Sequence, residues 1–170
     1  MKAHYRDFLI RDWQNTDRAP AANIISSVLA EYHLGWEPSG ADKDVLAVEE
    51  YYLLPGGEFW VIEHHNQLVG TGAYYPVKRG EKAVEIRKMY LLSSARGFGL
   101  GRYLLQQLEQ AIALRGFQQI WVETASILIE AVGLYESSGY QPAAGVETAR
   151  CDRVYVKLLP LSNSTNVGTV

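Results

Sequence analysis

The sequence predicts an α/β (mixed α+β) domain whose central sheet has six to seven mostly antiparallel strands and helices on both faces. Apolar residues recur with period two in some segments and with helical period in others along the 170-residue chain. The three strongest strand patterns follow one another with short separators, which favours antiparallel pairing. The later strand patterns alternate with helices, which indicates a β-α-β-α unit in the second half.

Composition and charge narrow the class of protein. Apolar residues make up 48% of the chain and charged residues 21%, which is typical of one folded globular domain. We expect residues 1–160 to form that domain and the polar residues 161–170 to form a loose tail. The formal net charge of −3 argues against sequence-independent binding of nucleic acid, which needs a cationic surface.

Cysteine content and apolar runs bear on location. Cys151 is the single cysteine, so an intrachain disulfide is excluded, and the N-terminal residues lack the apolar core of a signal peptide. No apolar run is long enough to cross a bilayer. We expect a cytoplasmic protein with no membrane role, and a homodimer is compatible with the sequence although no interface is predicted.

The N-terminal half contains one strand pattern and one helix pattern before an irregular segment. Residues Tyr5 to Arg11 predict a strand, although their alternation is imperfect. Asp17 is a suitable N-cap and Pro20 suits a first turn, so a helix is predicted from there to Gly35. Residues 36–57 combine prolines and glycines with a short apolar-acidic run, which indicates loop, short helix and loop.

Three strand patterns lie in the middle of the chain. Residues 59–64 and 68–77 predict a hairpin, and residues 83–92 predict a third strand. Simple alternation in the third strand puts four side chains on one face: Glu85, Arg87, Met89 and Leu91.

The C-terminal half has the helix-strand-helix-strand order expected of a crossover unit. A helix that follows a glycine loop ends near Gly116, and a strand covers residues 119–123. A second helix covers residues 127–137, and the last strand covers residues 153–159.

The glycine loop from Ser94 to Gly101 is suited to phosphate binding. Its glycines allow close backbone approach, and the helix that follows offers unpaired N–H groups and the positive end of a dipole. Spacing alone is equally compatible with a tight turn. A P-loop needs Lys and Ser or Thr after the last glycine, where Arg102 and Tyr103 stand. A dinucleotide fingerprint lacks its third glycine and remains a minor alternative, with Glu123 as the acidic residue after the next strand.

Two motifs resemble the GNAT superfamily of acetyltransferases. Arg96, Gly99 and Gly101 match the Arg/Gln-x-x-Gly-x-Gly/Ala signature, and residues 134–140 resemble the tyrosine helix of the family with the turn after it. The resemblance covers roughly residues 58–159. It implies a sheet that splays at the cofactor site and acetyl-CoA as the cofactor.

The resemblance also implies a set of cofactor contacts. Backbone groups of the third strand would pair with the pantetheine arm, and the glycine loop would hold the pyrophosphate. The residues concerned are Met89, Tyr90, Leu91, Arg96, Gly97, Phe98, Gly99, Leu100, Gly101 and Arg102. Leu128 stands where many relatives have an asparagine that reaches the cofactor arm, so that contact is absent or supplied otherwise.

The same resemblance suggests catalytic and substrate residues. Tyr135 would be the general acid, although its place in an apolar helix stripe also suits a core aromatic. Glu85 would be the general base, and an ion pair with Arg87 is the alternative. Glu123 and Arg87 are the candidate substrate contacts, and a strand-end glutamate is more often solvated or capping.

Other reactive residues show no pattern of their own. The four histidines lack metal-ligand spacing, so no metal is predicted. Cys151 has no neighbour that marks an activated thiolate, which favours direct transfer over an acyl-enzyme.

The predicted function is transfer of acetyl from acetyl-CoA to a primary amine of a small molecule or a peptide N-terminus through a ternary complex. The alternatives are a non-catalytic acyl-CoA-binding regulatory module and a dinucleotide-binding enzyme, and the acceptor is left open.

Overall fold

The strands of the protein form a single sheet in the computed structural model, which describes residues 2–160. They are β1 (Lys2–Tyr5), β2 (Phe8–Asp12), β3 (Glu58–His64), β4 (Gln67–Pro76), β5 (Ala83–Leu91), β6 (Gln119–Thr124), β7 (Gln141–Ala143) and β8 (Arg153–Leu158). Their order across the sheet is β1-β2-β3-β4-β5-β6-β8-β7. All neighbours are antiparallel except β5 and β6, which are parallel as a crossover through a helix requires.

The helices connect these strands at the predicted places. They are α1 (Arg18–Glu31), α2 (Lys43–Leu46), a π turn (Glu49–Leu53), α3 (Leu100–Leu114) and α4 (Ile129–Ser137), with 3-10 turns at Asn15–Asp17 and Ser93–Ala95. The predicted loose tail at 161–170 lies outside the described residues. The predicted fold class is confirmed, with eight strands in the described part of the chain where six to seven were expected.

The first predicted strand, Tyr5 to Arg11, is wrong as a single element. Residues 2–12 form a hairpin in which Tyr5 pairs with Phe8 and Arg6 turns the chain with a φ of 52°. Strands of four and five residues are too short to show separate periodic patterns. This hairpin and the three-residue β7 account for the additional strands.

Helices cover both faces of the sheet, as predicted. On one face α3 and α4 pack against the sheet through a buried apolar cluster that includes Leu104, Leu108 and Tyr135. On the other face α1 packs through Ile25 and Leu29 against inward-facing residues of β3 and β4. Each such fully buried aliphatic side chain stabilises the fold by about 1.5–3 kcal/mol, so the two clusters fix the helices against the sheet.

A bulge in β5 overturns the predicted alternation of that strand. Thr71 pairs with Tyr90 but Ala73 pairs with Arg87, so two residues of β5 lie opposite one of β4. Lys88 within the bulge has a φ of 52°. Met89 therefore packs on the α3 face, while Arg87 and Glu85 line a cavity on the other face.

The sheet opens beside the end of β5. Pairing between β5 and β6 stops at Ile86 and Val122, although β5 continues to Leu91. The last residues of β5 therefore have no strand partner on the β6 side within the described structure. This splay forms one wall of the cleft described next.

Candidate active site

The first cavity, here called the donor cleft, has a volume of about 310 Å³ and lies at the splay. The end of β5, the glycine loop and helices α1 and α4 surround it. Nine of the ten predicted cofactor residues line it: Met89, Tyr90, Leu91, Arg96, Gly97, Gly99, Leu100, Gly101 and Arg102. Leu128, the residue in place of the family asparagine, also lines it and offers no polar group.

Phe98 is the predicted cofactor residue whose side chain lies elsewhere. Its ring is 42% exposed and lies 5.9 Å from the ring of Phe8 in β2. Its carbonyl accepts a 2.8 Å hydrogen bond from the Tyr5 hydroxyl. The ring therefore packs toward the N-terminal hairpin, and only backbone atoms of Phe98 remain near the loop.

The glycine loop is shaped to receive an anion. Gly97 and Gly99 have φ angles of 83° and 79°, in the left-handed region that favours glycine. A Cβ at Gly97 would meet nothing within 4 Å, so this side of the loop is open. The helix α3 begins at Leu100, and its first N–H groups have no partner within the helix and point out of its end.

Two arginines flank this loop in different ways. The Arg96 guanidinium donates to the Leu91 carbonyl at 2.9 Å and to Glu31 of α1 at 2.7 Å, so it ties the loop to β5 and α1. Arg102 is held less tightly, by the hydroxyl of Ser137 at 2.8 Å in α4. Arg102 thus keeps donors that can turn toward a bound anion.

Tyr135 projects from α4 into the donor cleft. Its side chain is buried, and its hydroxyl contacts the sulfur of Met89 at 3.9 Å. Burial raises the pKa of Tyr135, so the phenol is held neutral as a proton donor. A thioether is a weak acceptor, so the hydroxyl can exchange this contact for a stronger one.

A second cavity, here called the acceptor cavity, lies on the α1 face of the sheet with a volume of about 330 Å³. It contains the predicted residues Glu85, Arg87 and Glu123. A smaller cavity of about 40 Å³ is lined by these three residues and by Tyr90, which also lines the donor cleft. Tyr90 therefore lies between the donor cleft and this smaller cavity, which borders the acceptor cavity.

Glu85 lies on β5 and lines both the acceptor cavity and the small cavity next to it. Its side chain is buried, and burial raises the pKa of its carboxyl to about 7, although the nearby Arg87 opposes the shift. The Arg87 Nε atom is 3.7 Å from a Glu85 oxygen. A carboxyl that titrates near neutral pH is suited to accept a proton at that pH.

Glu123 is engaged by the protein itself. Its carboxylate pairs with Arg79 and accepts backbone N–H groups of Glu147 at 2.7 Å and Thr148 at 2.8 Å. Burial opposes ionisation, but these hydrogen bonds lower the pKa of Glu123 overall. It fixes the loop at residues 147–148 over the acceptor cavity, and its side chain has little capacity left for a substrate.

The sequence of this chain is similar to that of known acetyltransferases. The sequence matches the acetyltransferase (GNAT) family over residues 24–140. It is also similar to the uncharacterized N-acetyltransferase YjgM of Escherichia coli (strain K12). The two sequences are 36% identical over 129 aligned residues, and the alignment covers 74% of this chain and 77% of YjgM. The chain belongs to the GNAT acetyltransferase family. It is an acyl-CoA-dependent N-acyltransferase by class, as the two motifs predicted.

More distant GNAT relatives agree with this assignment. N-acetyltransferase 8F1 of Rattus norvegicus is 32% identical over 101 residues, which cover 58% of this chain but 46% of that protein. A GNAT-family acetyltransferase structure from Staphylococcus aureus Mu50 superposes with a TM-score of 0.83 over 90% of this chain and 99% of the other, at 19% identity. The second comparison shows the fold alone.

The sequence did not reveal one ionic cluster beside the GNAT site. Asp42 is fully buried and accepts hydrogen bonds from Lys88 at 2.7 Å and from both terminal nitrogens of Arg150 at 2.6 Å. Burial opposes ionisation, yet these cations lower the pKa of Asp42 to about 2. The three residues lie 46 and 108 positions apart, so no local pattern could have linked them.

Membrane-spanning helices and clustered metal ligands are both absent from residues 2–160. The helices in this range lack the combination of length and apolar composition that a bilayer span needs. Over the same range, no group of three or more His, Cys, Asp or Glu side chains is arranged to hold a metal ion.

Proposed function

We propose that this protein transfers the acetyl group of acetyl-CoA directly to a primary amine within a ternary complex. The observation that supports this most is the position of Tyr90, which lines both the donor cleft that contains Tyr135 and a small cavity that shares Glu85 with the acceptor cavity. Such an arrangement would let donor and acceptor bind from separate sides and react beside Tyr90. Holding both reactants together also lowers the entropic cost of the reaction.

The donor cleft fits an acyl-CoA in two parts. Backbone N–H groups from Gly97 to Gly101 and the Arg102 side chain would hold the pyrophosphate at the N-terminus of α3. Within residues 2–160, the backbone of Met89 to Leu91 has no strand partner on the side of β6, and it would pair there with the amide-bearing pantetheine arm. The apolar side chain of Leu128 replaces a polar contact, so affinity for the arm depends on this backbone pairing.

Glu85 and Tyr135 divide the proton transfers of the reaction. Glu85 accepts a proton from the ammonium group of the acceptor, directly or through water, so that nitrogen gains a free electron pair. The amine then attacks the thioester carbonyl, and the carbon–sulfur bond breaks as the tetrahedral intermediate collapses. Tyr135 donates its proton to the departing thiolate sulfur, and the second proton that the nitrogen loses, passed through water, restores the Tyr135 phenol. The proton taken up by Glu85 is released to solvent, so each transfer yields one amide, one thiol and one proton.

Direct transfer is favoured over an acyl-enzyme at Cys151. That residue lines the small cavity between donor and acceptor sides, so its position alone would permit attack. Burial raises the pKa of the Cys151 thiol to about 11, and little thiolate exists at neutral pH. A buried thiol of this kind is a poor nucleophile.

The size of the acceptor cavity favours a small molecule over a protein N-terminus. Its volume of about 330 Å³ lies near the lower end of the range of small-ligand sites, about 300–1,000 Å³. The proposal therefore favours a small amine that fits between β5 and the loop at 147–149.

Initial-rate kinetics test this proposal. Thiol release from acetyl-CoA is measured against a panel of small amines and peptides, with both substrates varied. Intersecting double-reciprocal lines and stoichiometric N-acetylated product are expected for a ternary complex. Parallel lines with an acetylated Cys151 would overturn direct transfer, and stabilisation by NAD but not acetyl-CoA would overturn the function itself.

A further inference from the structure

Arg87 is a partly buried cation with unused hydrogen-bond donors. Its side chain is 21% exposed and lines the acceptor cavity. Within the described residues its side chain donates one hydrogen bond, to the Tyr75 hydroxyl at 3.2 Å. Glu85 and Asp44 lie 3.7 and 3.9 Å away, beyond hydrogen-bonding distance. A guanidinium has five N–H donors, so most of those of Arg87 are available to a ligand.

The other buried cations around the cavity are already engaged. Lys88 donates to Asp42 at 2.7 Å and to the Ala41 carbonyl at 2.9 Å. Arg150 donates to both oxygens of Asp42 at 2.6 Å, and Arg79 pairs with Glu123. The acceptor cavity is also lined by Lys43, which is exposed at its rim, so Arg87 is the partly buried cation of this lining that is placed to bind an incoming anion.

The carboxylates of the cavity also fall into two groups, those that already have hydrogen-bond partners and one that does not. Asp44 accepts a 2.5 Å hydrogen bond from Tyr52 and lies 3.2 Å from the Lys88 ammonium. Glu123 is held by Arg79 and two backbone N–H groups. Glu85, by contrast, accepts no hydrogen bond from any residue in the range 2–160. The inner part of the cavity therefore presents one available carboxyl group beside one available guanidinium.

We propose that the acceptor is an α-amino acid, with its carboxylate bound by Arg87 and its amine facing Glu85. The inference rests on the proposed function. Glu85 and Arg87 are two positions apart on one strand and face the same cavity, with opposite charges 3.7 Å apart. An α-amino acid carries its ammonium and carboxylate on one carbon, so it matches this spacing, and Arg binds carboxylates with paired N–H groups.

A polycationic amine is the rival acceptor. The exposed side chains of Glu37 and Glu147 add negative charge to the rim of the cavity and would attract it, although the exposed Lys43 and the pairing of Glu147 with Arg79 offset part of that charge. That attraction is not directional. A polycationic amine also has no acceptor group for the available N–H donors of Arg87. A second ammonium group would instead be repelled by Arg87 at the inner end.

The test compares each amino acid with its own carboxamide, which keeps the side chain and amine but removes the negative charge. Both are assayed for thiol release with the wild-type protein, Arg87→Gln and Arg115→Gln. Arg115 is an exposed residue paired with Glu58 and lies outside both cavities, so it controls for loss of a cation. Calorimetric binding of acetyl-CoA to each variant shows that the donor cleft is intact.

We expect Arg87→Gln to lower kcat/KM for the amino acid by about 10- to 100-fold, mainly through KM, since a charged hydrogen bond is lost. The kcat/KM for the carboxamide should change little in Arg87→Gln, and Arg115→Gln should have the kcat/KM of the wild type for both compounds. Three results would overturn this inference while acetyl transfer stands. They are equal kcat/KM of the wild type for the amino acid and its carboxamide, an equal loss of kcat/KM for both in Arg87→Gln, and a higher kcat/KM for a polyamine. Absence of thiol release with every amine would overturn the proposed function as well.

Discussion

The hydroxyl of Tyr135 in α4 lies 3.9 Å from the sulfur of Met89 in β5, so the two residues face each other across the donor cleft. Their meeting depends on the bulge at Lys88, which turns Met89 onto the α3 face of the sheet. A thioether is a weak hydrogen-bond acceptor. A thiolate leaving group in the cleft would be a stronger partner for the same hydroxyl.

Tyr135→Phe should lower kcat by about 10²-fold, because the ring remains while the proton donor is lost. Acetyl-CoA affinity should change little, since the hydroxyl acts on the departing sulfur. Tyr155→Phe is the matched control, because it removes a hydroxyl that bonds Glu136 at 2.9 Å outside the donor cleft. Unchanged kcat in single-turnover assays of Tyr135→Phe would show that another group supplies the proton.

Gly101→Asp should weaken acetyl-CoA binding at least 10-fold without lowering the melting temperature. A carboxylate in the first turn of α3 interacts favourably with the helix dipole but repels the pyrophosphate. Gly101→Ala is the control, since its Cβ would lie 3.8 Å from the side chains of Leu134 and Leu91, an ordinary contact. Gly99 is a poorer site for this test, because a Cβ there would lie 2.8 Å from the Tyr5 hydroxyl.

Calorimetry and thermal melting of these two variants decide the role of the loop. Unchanged acetyl-CoA affinity in Gly101→Asp would mean that the glycine loop serves as a turn and binds no phosphate. A large loss in both variants would instead indicate that any side chain blocks the cleft.

The Glu85→Gln defect should depend on pH in a defined way. With a carboxyl pKa of about 7, the wild-type rate should rise with pH up to about 7 and then level off. The variant depends on amine that is already neutral, and its rate should continue to rise about tenfold per pH unit. The defect should therefore be constant below about pH 7 and shrink above it. A defect independent of pH across this range would favour substrate anchoring over base catalysis.

The raised pKa of Glu85 also predicts that stability falls with pH, whereas the rate rises with pH. The pKa of Glu85 is raised from 4.5 to about 7 on folding, so the folded state binds more protons between these values. Unfolding free energy should fall as pH rises through this window, and it should fall less in Glu85→Gln. Denaturant melts of both proteins from pH 4.5 to 8 measure the difference.

The sequence predicted the fold because its cues are local. The glycine loop, the amphipathic helix with Leu104 and Leu108, and the tyrosine helix each lie within one continuous segment. The bulge at Lys88 could not be predicted, since a lysine with a φ of 52° carries no glycine signal and depends on tertiary contacts. Simple alternation therefore placed Met89 on the same face as Glu85, and that was wrong.

Only those residues of the candidate site that lie in one continuous segment could be predicted from the sequence. The donor residues belong to one contiguous loop and strand, whereas Asp42 and Arg150 lie 108 positions apart and meet through the folded sheet. The sequence also could not show that Glu123 is already engaged, since its partners come from residues 79, 147 and 148.

Asp42→Asn should destabilise the protein by about 3–5 kcal/mol, because it removes the counter-ion of Arg150 and leaves the buried Lys88 with Asp44 alone. Exposed Asp7→Asn is the control and should change stability little. The folded-state pKa of Asp42 is about 2, below its ordinary 3.8, so its contribution is present above pH 3.8 and is lost as pH falls toward 2. Equal urea midpoints for Asp42→Asn and wild type at pH 7 would contradict this role.

Direct acetyl transfer is tested by incubating the protein with acetyl-CoA and a panel of primary amines, and by measuring thiol release together with the mass of the amine product. We expect one N-acetylated amine for each thiol released, with the rate reduced about 10²-fold in Tyr135→Phe. Saturable acetyl-CoA binding with no acetylated product from any amine would contradict it and would indicate a non-catalytic acyl-CoA-binding module.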